Sequence, residues 1–125
     1  MRKKVNWGLI GLGNASLNIA NEIRKVKNSN LFGIASHNSR NRILFKNKFK
    51  IAGDKVYKDY LSLIKDPKVD LIYIGLPNSL HKKIVIKALK EKKNVLVEKP
   101  MITSLKEFRE LKLYISKDII FYEAI

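Results

Sequence analysis

Short apolar runs, the pattern of strands buried on both faces of a sheet, recur along the whole chain. Between them, apolar residues return every three or four positions, which predicts helices with one buried face. Strands and helices therefore alternate about six times. This alternation predicts an α/β fold, a doubly wound parallel sheet of about six strands with helices on both faces, forming one domain over residues 1–125. The predicted strands cover residues 5–10, 31–36, 55–57, 69–74, 94–97 and 119–122.

The helical stretches carry their own predictions about which side chains face inward. The second helix, over residues 40–49, is expected to turn Ile43, Leu44 and Phe49 towards the sheet. Asp59 is predicted to cap a third helix, and further helices are expected over residues 80–90 and from Ser104 onwards. In the first helix the inward positions are expected to be Leu17, Ile19, Ala20, Ile23 and Val26.

A glycine turn follows the first strand and precedes the first helix. Gly11 and Gly13 allow a sharp turn and a close approach by a ligand, and Ser16 is small enough for close packing of helix and strand. The free amide groups and the positive end of a helix dipole would together bind an anion, such as the pyrophosphate of a dinucleotide. An ordinary strand-to-helix turn is the alternative. The residues predicted to bind the dinucleotide here are Gly11, Leu12, Gly13, Asn14 and Ala15.

Ligands of such sheets bind at the carboxyl ends of the strands. This rule brings four loops to one edge, at residues 11–16, 36–40, 75–81 and 98–100. The second of these loops has no carboxylate, although an NAD site usually places one there to accept from the ribose 2′-hydroxyl. Ser36, His37 and Arg40 are instead suited to a 2′-phosphate, which predicts NADP rather than NAD, with a solvated loop and no preference as the alternative.

The composition limits the remaining classes of function. A formal net charge of +15 invites a nucleic-acid interpretation, but the lysines are spread over helix faces, so we expect only general attraction to polyanions. The absence of cysteine excludes disulfides, thiolate metal sites and cysteine nucleophiles, and no metal site is predicted. The basic start of the chain precedes only a short strand. We therefore expect no signal peptide or membrane span, and a cytoplasmic location.

Three motifs, in order and at the ends of three of the predicted strands, resemble those of one enzyme family. They are the strand–GLGN–helix opening, the P-N-x-x-H pattern of residues 77–81, and the E-K-P pattern of residues 98–100. The chain resembles the N-terminal, dinucleotide-binding Rossmann domain of the glucose–fructose oxidoreductase and inositol dehydrogenase family (Gfo/Idh/MocA). The resemblance extends over essentially the whole chain. Residues 35–36 and 122–125 look most like the dihydrodiol dehydrogenase-like branch.

This resemblance implies hydride transfer between a nicotinamide cofactor, NADP or NAD, and a sugar, polyol or related carbinol. It implies that Lys99 orients the substrate oxygen and shares its proton, with His81 at the substrate mouth as a second catalytic residue. It also implies a cis Lys99–Pro100 peptide. Beyond the glycine turn and residues 36, 37 and 40, the implied cofactor contacts are Leu76, Pro77, Asn78, Glu98 and Lys99. For Glu98 the resemblance implies either contact with the cofactor ribose or a role in fixing Lys99.

Family members continue into a second domain that carries substrate contacts and further catalytic residues. The sequence ends where the crossover to that domain would begin, so we expect little dehydrogenase activity from this chain alone. Its expected partners are a nicotinamide dinucleotide, a small-molecule substrate once a second domain is supplied, and either a second copy or a separate chain carrying that domain. A non-catalytic cofactor-binding module is the main alternative, and a basic nucleic-acid binder is a third.

Overall fold

The computed structural model describes residues 4–76, 78–98, 109, 112–115 and 121–124, except for the side chains of residues 78, 79, 81 and 121–124. Six parallel strands form one sheet in the order β3-β2-β1-β4-β5-β6. The strands are β1 (Val5–Ile10), β2 (Ser29–Ala35), β3 (Val56–Tyr57), β4 (Leu71–Ile74), β5 (Asn94–Glu98) and β6 (Phe121–Ala124). The helices are α1 (Asn14–Lys25), α2 (Ser39–Phe49), α3 (Tyr60–Ile64) and α4 (Asn78–Lys90), and a 3₁₀ turn covers Gly53–Lys55.

The strand order confirms the predicted doubly wound sheet. The chain builds outwards from β1 to β3, then returns to the other side of β1 and continues from β4 to β6. The direction of winding therefore reverses between β1 and β4. In open α/β sheets this reversal leaves a crevice outside the carboxyl ends of the two strands, and ligands bind there.

Apolar side chains fill both faces of the sheet. One face buries Leu9, Ile34 and Tyr73 against residues from α1 and α2. The opposite face buries Ile10 and Ile74, among others, against residues from α3 and α4. Successive strand residues thus belong to different clusters, as the two-residue period of a strand requires. The near-continuous apolar runs of the sequence are explained by this two-sided burial.

Two helices differ from the prediction in the residues that they bury. Ile43 and Leu44 were expected to face inward, but they are 60% and 53% exposed. Phe49 is buried as expected, and Phe45 is buried with it, because the two lie four residues apart and share one face of α2. Val26 is likewise exposed, since α1 ends at Lys25 and Val26 is its C-cap.

Several predicted boundaries also move. The last strand covers Phe121–Ala124 rather than residues 119–122, and β4 begins at Leu71 rather than at residue 69. The helix predicted from residue 80 begins at Asn78. Asp59 caps α3 as predicted, because its carboxylate accepts a hydrogen bond from the Leu61 amide at 3.1 Å. The helix predicted from Ser104 lies outside the described residues, apart from Arg109 and Lys112, which are helical.

A polar cluster around the buried carboxylate of Asp66 joins the loop after α3 to the edge strand β3. One oxygen of the Asp66 carboxylate accepts hydrogen bonds from Tyr57 at 2.7 Å and from Lys55 at 2.9 Å. The other oxygen accepts from the Lys68 amide at 2.9 Å. Burial alone would raise the pKa of the Asp66 carboxyl, but these donors outweigh it and lower that pKa to about 2.

We expect Asp66→Asn to lower the free energy of unfolding by about 2 kcal/mol at neutral pH. An ordinary aspartate pKa of 3.8 falls to about 2 on folding, and each unit corresponds to about 1.4 kcal/mol. Because the folded-state pKa is depressed, this stabilisation is complete above about pH 4 and is lost as the pH falls towards 2. Urea unfolding between pH 7 and 2 measures it. Asp54→Asn, at an exposed carboxylate, should change little, and an unaltered acid dependence in Asp66→Asn would contradict the assignment.

Candidate functional site

The candidate site lies at the carboxyl edge of the sheet, where the ends of β2, β1, β4 and β5 are neighbours. Backbone hydrogen bonds continue past the strands into the loops. The Gly11 amide donates to the Ala35 carbonyl at 3.0 Å, and the Gly75 amide donates to the Ile10 carbonyl at 2.8 Å. The glycine turn is therefore fixed to the strand on each side of it, at the point where the winding reverses.

Gly11 adopts a backbone conformation that suits glycine alone. Its φ angle is +83°, and a Cβ atom at this position would lie 2.5 Å from the Gly75 carbonyl oxygen. Any other residue would therefore combine an unfavourable backbone angle with a clash against backbone. The turn after β1 and the loop after β4 touch each other here, which closes the base of the crevice.

Ser16 takes the position where a small residue was expected. It is 1% exposed, and its hydroxyl donates to the Gly11 carbonyl oxygen. A Cβ atom on Gly75 would lie 2.9 Å from the Ser16 hydroxyl oxygen. The serine therefore allows α1 to pack closely on the sheet, and its hydroxyl also provides a partner for a carbonyl inside the turn.

Gly13 faces open space at the N-terminus of α1. Beyond its two chain neighbours, no atom of the described residues lies within 4 Å of a Cβ atom built on it, and it is the N-cap of the helix. Asn38 and Asp59 cap α2 and α3 through their side chains, whereas Gly13 has no side chain to cap α1. The first turn of α1 also contains no acidic residue. The first amides of α1 can therefore bind an anion at close range, and this end of the helix fits a phosphate group.

The other predicted contacts near the turn divide into exposed and buried side chains. Asn14 is exposed and Ala15 is partly exposed, so both present side chain and amide at the edge. Leu12 and Leu76 are 5% and 8% exposed and pack in the two apolar clusters. These two leucines can contact a ligand through their backbone, while their side chains stabilise the core.

Ser36 lies at the end of β2 and is almost completely buried, at 6% exposure. Its hydroxyl accepts a hydrogen bond from the Asn38 amide at 3.0 Å. Its carbonyl oxygen accepts one from the guanidinium of Arg42 at 2.6 Å. The loop between β2 and α2 is thereby held in one shape, and Arg42, which the sequence analysis did not select, contributes to holding it.

His37 and Arg40 extend the same loop into solvent. The His37 ring stacks on Tyr60, with ring centres 4.3 Å apart and planes within 10°. Arg40 is exposed in the first turn of α2. A cleft of about 250 Å³ opens between this helix and the edge strand β3. Among the described residues it is lined by Ser39, Arg42, Ile43, Lys46, Gly53, Val56 and Lys58, which include three cations and no carboxylate.

Glu98 ends β5 and is partly buried. Its carboxylate accepts a hydrogen bond from the hydroxyl of Tyr73, a side chain that is 0% exposed. Burial, and then the bond to Glu98, raise the pKa of the Tyr73 hydroxyl well above its usual range. Tyr73 is a second residue that the sequence analysis missed. The signal was a single tyrosine in an aliphatic strand, because a buried hydroxyl needs a partner.

The side chains of the remaining predicted site residues lie outside the described part of the molecule. The backbone of Asn78 and His81 is described as part of α4, but their side chains are not described. Pro77, Lys99 and the Lys99–Pro100 peptide are not described at all. The arrangement of the two predicted catalytic side chains and the cis peptide therefore stay predictions.

In the described part of the chain, no helix is long and apolar enough to cross a membrane. Within the same residues, no group of three or more histidine, aspartate or glutamate side chains is arranged to hold a metal ion.

Comparison with known proteins agrees with this geometry. Residues 5–118 match the Gfo/Idh/MocA family, described as an oxidoreductase family with an NAD-binding Rossmann fold. Myo-inositol 2-dehydrogenase of Thermotoga maritima is 34% identical over 98 residues, which are 78% of this chain and 29% of that protein. Trans-1,2-dihydrobenzene-1,2-diol dehydrogenase of Bos taurus is 32% identical over 124 residues, or 97% of this chain and 36% of that protein.

The fold is also similar to that of solved structures. Biliverdin reductase of Synechocystis, solved with biliverdin and NADP⁺, superposes with a TM-score of 0.86 at 25% identity. The match covers 95% of this chain and 37% of that one, so the chain spans about a third of the length of its relatives. The sequence match, the sheet order and the open glycine turn lead to one conclusion. The chain belongs to the Gfo/Idh/MocA oxidoreductase family, of which it represents the NAD(P)-binding Rossmann domain.

Proposed function

We propose that this domain binds NADP in preference to NAD and carries it for hydride transfer. The observation that supports the cofactor site most directly is the open space at Gly13, beside the uncapped first turn of α1. A pyrophosphate would lie against the amides of this turn, and the adjoining ribose and adenine would extend towards the end of β2. Gly11, Leu12, Gly13, Asn14 and Ala15 are the proposed contacts of the turn.

The loop after β2 supports the choice of NADP. Ser36 uses its hydroxyl oxygen as an acceptor for the Asn38 amide, so the hydroxyl hydrogen can donate to a phosphate. Arg40, with His37, would supply the positive charge that pairs with it. The neighbouring cleft adds Arg42, Lys46 and Lys58 to the local positive field.

The activity of the complete enzyme is also a proposal. The nicotinamide supplies a hydride acceptor or donor, and the substrate is a sugar, polyol or related carbinol. Lys99 would hold the substrate oxygen and share its proton, His81 would line the substrate mouth, and Glu98 would contact the cofactor ribose. Leu76, Pro77 and Asn78 would line the nicotinamide side. Since the relatives are about three times as long, residues 1–125 alone should bind cofactor with little turnover.

Partners and location follow from the same proposal. A domain that closes over the nicotinamide, from the same polypeptide or a separate chain, would complete the site, and a second copy of the chain is the other expected partner. The cytoplasm, which contains the cofactor and sugar substrates, is the proposed location. A cofactor-binding module without catalysis would use the same residues, and it would differ in giving no turnover when the second domain is supplied.

We expect saturable binding of one NADPH per chain at about 0.15 M salt. Energy transfer from the single tryptophan, Trp7, to the bound nicotinamide reports it. A short oligonucleotide is the matched control for the net charge of +15, because binding through phosphates alone weakens steeply as salt rises. Displacement of NADPH by that oligonucleotide at about 0.15 M salt, or the absence of saturation, would contradict the proposal.

A further inference from the structure

The buried tyrosine of the central sheet connects the core to the carboxyl edge. Tyr73 has 0% of its surface exposed, and its hydroxyl donates to the carboxylate of Glu98. The two residues lie on neighbouring parallel strands, and Tyr73 is in register with Leu96, two positions before Glu98. Tyr73 and Leu96 contact the same apolar cluster, so the two-residue period of β5 places Glu98 on that face as well.

The ring of Tyr73 has little freedom to move. A Cβ atom on Gly75 would lie 3.0 Å from its Cε2 atom and 2.9 Å from the hydroxyl oxygen of Ser16. Gly75 therefore leaves room for the tyrosine ring and for the first turn of α1 at the same point. Because the ring is confined by close packing, its hydroxyl is a donor at a fixed position.

We propose that Tyr73 is the positioning residue for Glu98, holding the carboxylate in one orientation at the edge where the cofactor ribose would bind. A flexible glutamate at a strand end would lose rotamer freedom when it accepts from a ribose hydroxyl. The bond from Tyr73 removes that freedom before binding. The inference rests on the proposed function, since it concerns how Glu98 is presented to NADP.

We expect Tyr73→Phe to weaken NADPH binding about tenfold, which is about 1.4 kcal/mol. In a protein that already carries Glu98→Gln, the Tyr73→Phe substitution should weaken binding no further, because the carboxylate that Tyr73 positions is gone. The double variant Tyr73→Phe/Glu98→Gln should therefore bind NADPH no more weakly than Glu98→Gln.

Tyr57→Phe is the matched control. It removes a tyrosine hydroxyl bonded to a carboxylate, that of Asp66, which lies in the loop leading into the amino end of β4. It should lower the thermal midpoint without changing NADPH affinity. Equal affinities for wild type and Tyr73→Phe, or fully additive losses in the double variant, would overturn the inference.

A second measurement separates this inference from the proposed function. The side-chain carboxyl resonance of Glu98, in carbon-labelled protein without cofactor, is assigned by its loss in Glu98→Gln. It should shift in Tyr73→Phe and stay in place in Tyr57→Phe. An unmoved resonance would overturn the positioning role even if NADPH binds. A shifted resonance with no NADPH binding would instead overturn the proposed function, and with it the role of Tyr73 towards a cofactor.

Discussion

Gly11→Ala is expected to destabilise the domain by about 3 kcal/mol and to abolish measurable binding of NADPH. A side chain at φ +83° costs about 1–2 kcal/mol. The new methyl group would also lie 2.5 Å from the Gly75 carbonyl oxygen, and such overpacking adds about 1–3 kcal/mol. The turn and the loop after β4 would have to separate, which moves the amides that face the pyrophosphate. Urea unfolding and NADPH titration measure the two effects.

Gly13→Ala is expected to weaken NADPH binding while leaving the fold nearly as stable as in the wild type. The backbone at Gly13, with φ −109° and ψ −161°, is accessible to alanine, and beyond the chain neighbours the added Cβ atom meets no described residue within 4 Å. We therefore expect stability to change by less than about 1 kcal/mol. The methyl group would occupy the space that the pyrophosphate approaches, so affinity for NADPH should fall at least about tenfold. Unchanged affinity in a stable Gly13→Ala protein would place the cofactor elsewhere.

Periodicity was sufficient to predict the sheet but not the phase of every helix. A short apolar run indicates a strand whichever face each residue takes, so all six strands were found within a few residues. In α2, three apolar residues are consecutive, and only one of them can face the sheet. Phe45 is buried because Phe49 lies one turn later on the same face, which leaves Ile43 and Leu44 exposed. That outcome depends on the packing of both rings rather than on local alternation.

The candidate site shows a similar division. The sequence predicted one role, a sharp turn with close approach of a ligand, for both Gly11 and Gly13. In the structure, Gly11 is required by the fold, because a Cβ atom there would clash with the Gly75 carbonyl, whereas a Cβ atom on Gly13 would meet none of the described residues beyond its chain neighbours. Arg40 was predicted to pair with a 2′-phosphate because of its charge. The arginine that contacts the Ser36 carbonyl is Arg42, which no sequence pattern indicated. The partnership of Tyr73 with Glu98 depends on strand register across 25 residues, and composition carries no information about it.

Arg40→Ala is expected to reduce the preference of this domain for NADP over NAD. A charge-assisted hydrogen bond contributes about 1.5–3 kcal/mol. Loss of one should therefore weaken NADPH binding roughly 10- to 100-fold while leaving NADH binding unchanged. Arg24→Ala is the matched control. It removes the same charge from the exposed last turn of α1, so both cofactors should respond alike.

Ser36→Ala in the Arg40→Ala background tests the rest of the loop. Ser36 is 6% exposed and bonded to the Asn38 amide, so its removal loosens the turn as well as deleting a phosphate donor. The double variant should therefore bind both cofactors with nearly equal affinity in titrations at about 0.15 M salt. The salt matters because a net charge of +15 favours the more anionic cofactor at low ionic strength, whatever the loop contains. A preference for NADPH that survives both substitutions at that salt concentration would show that the discrimination comes from the general field or from other residues.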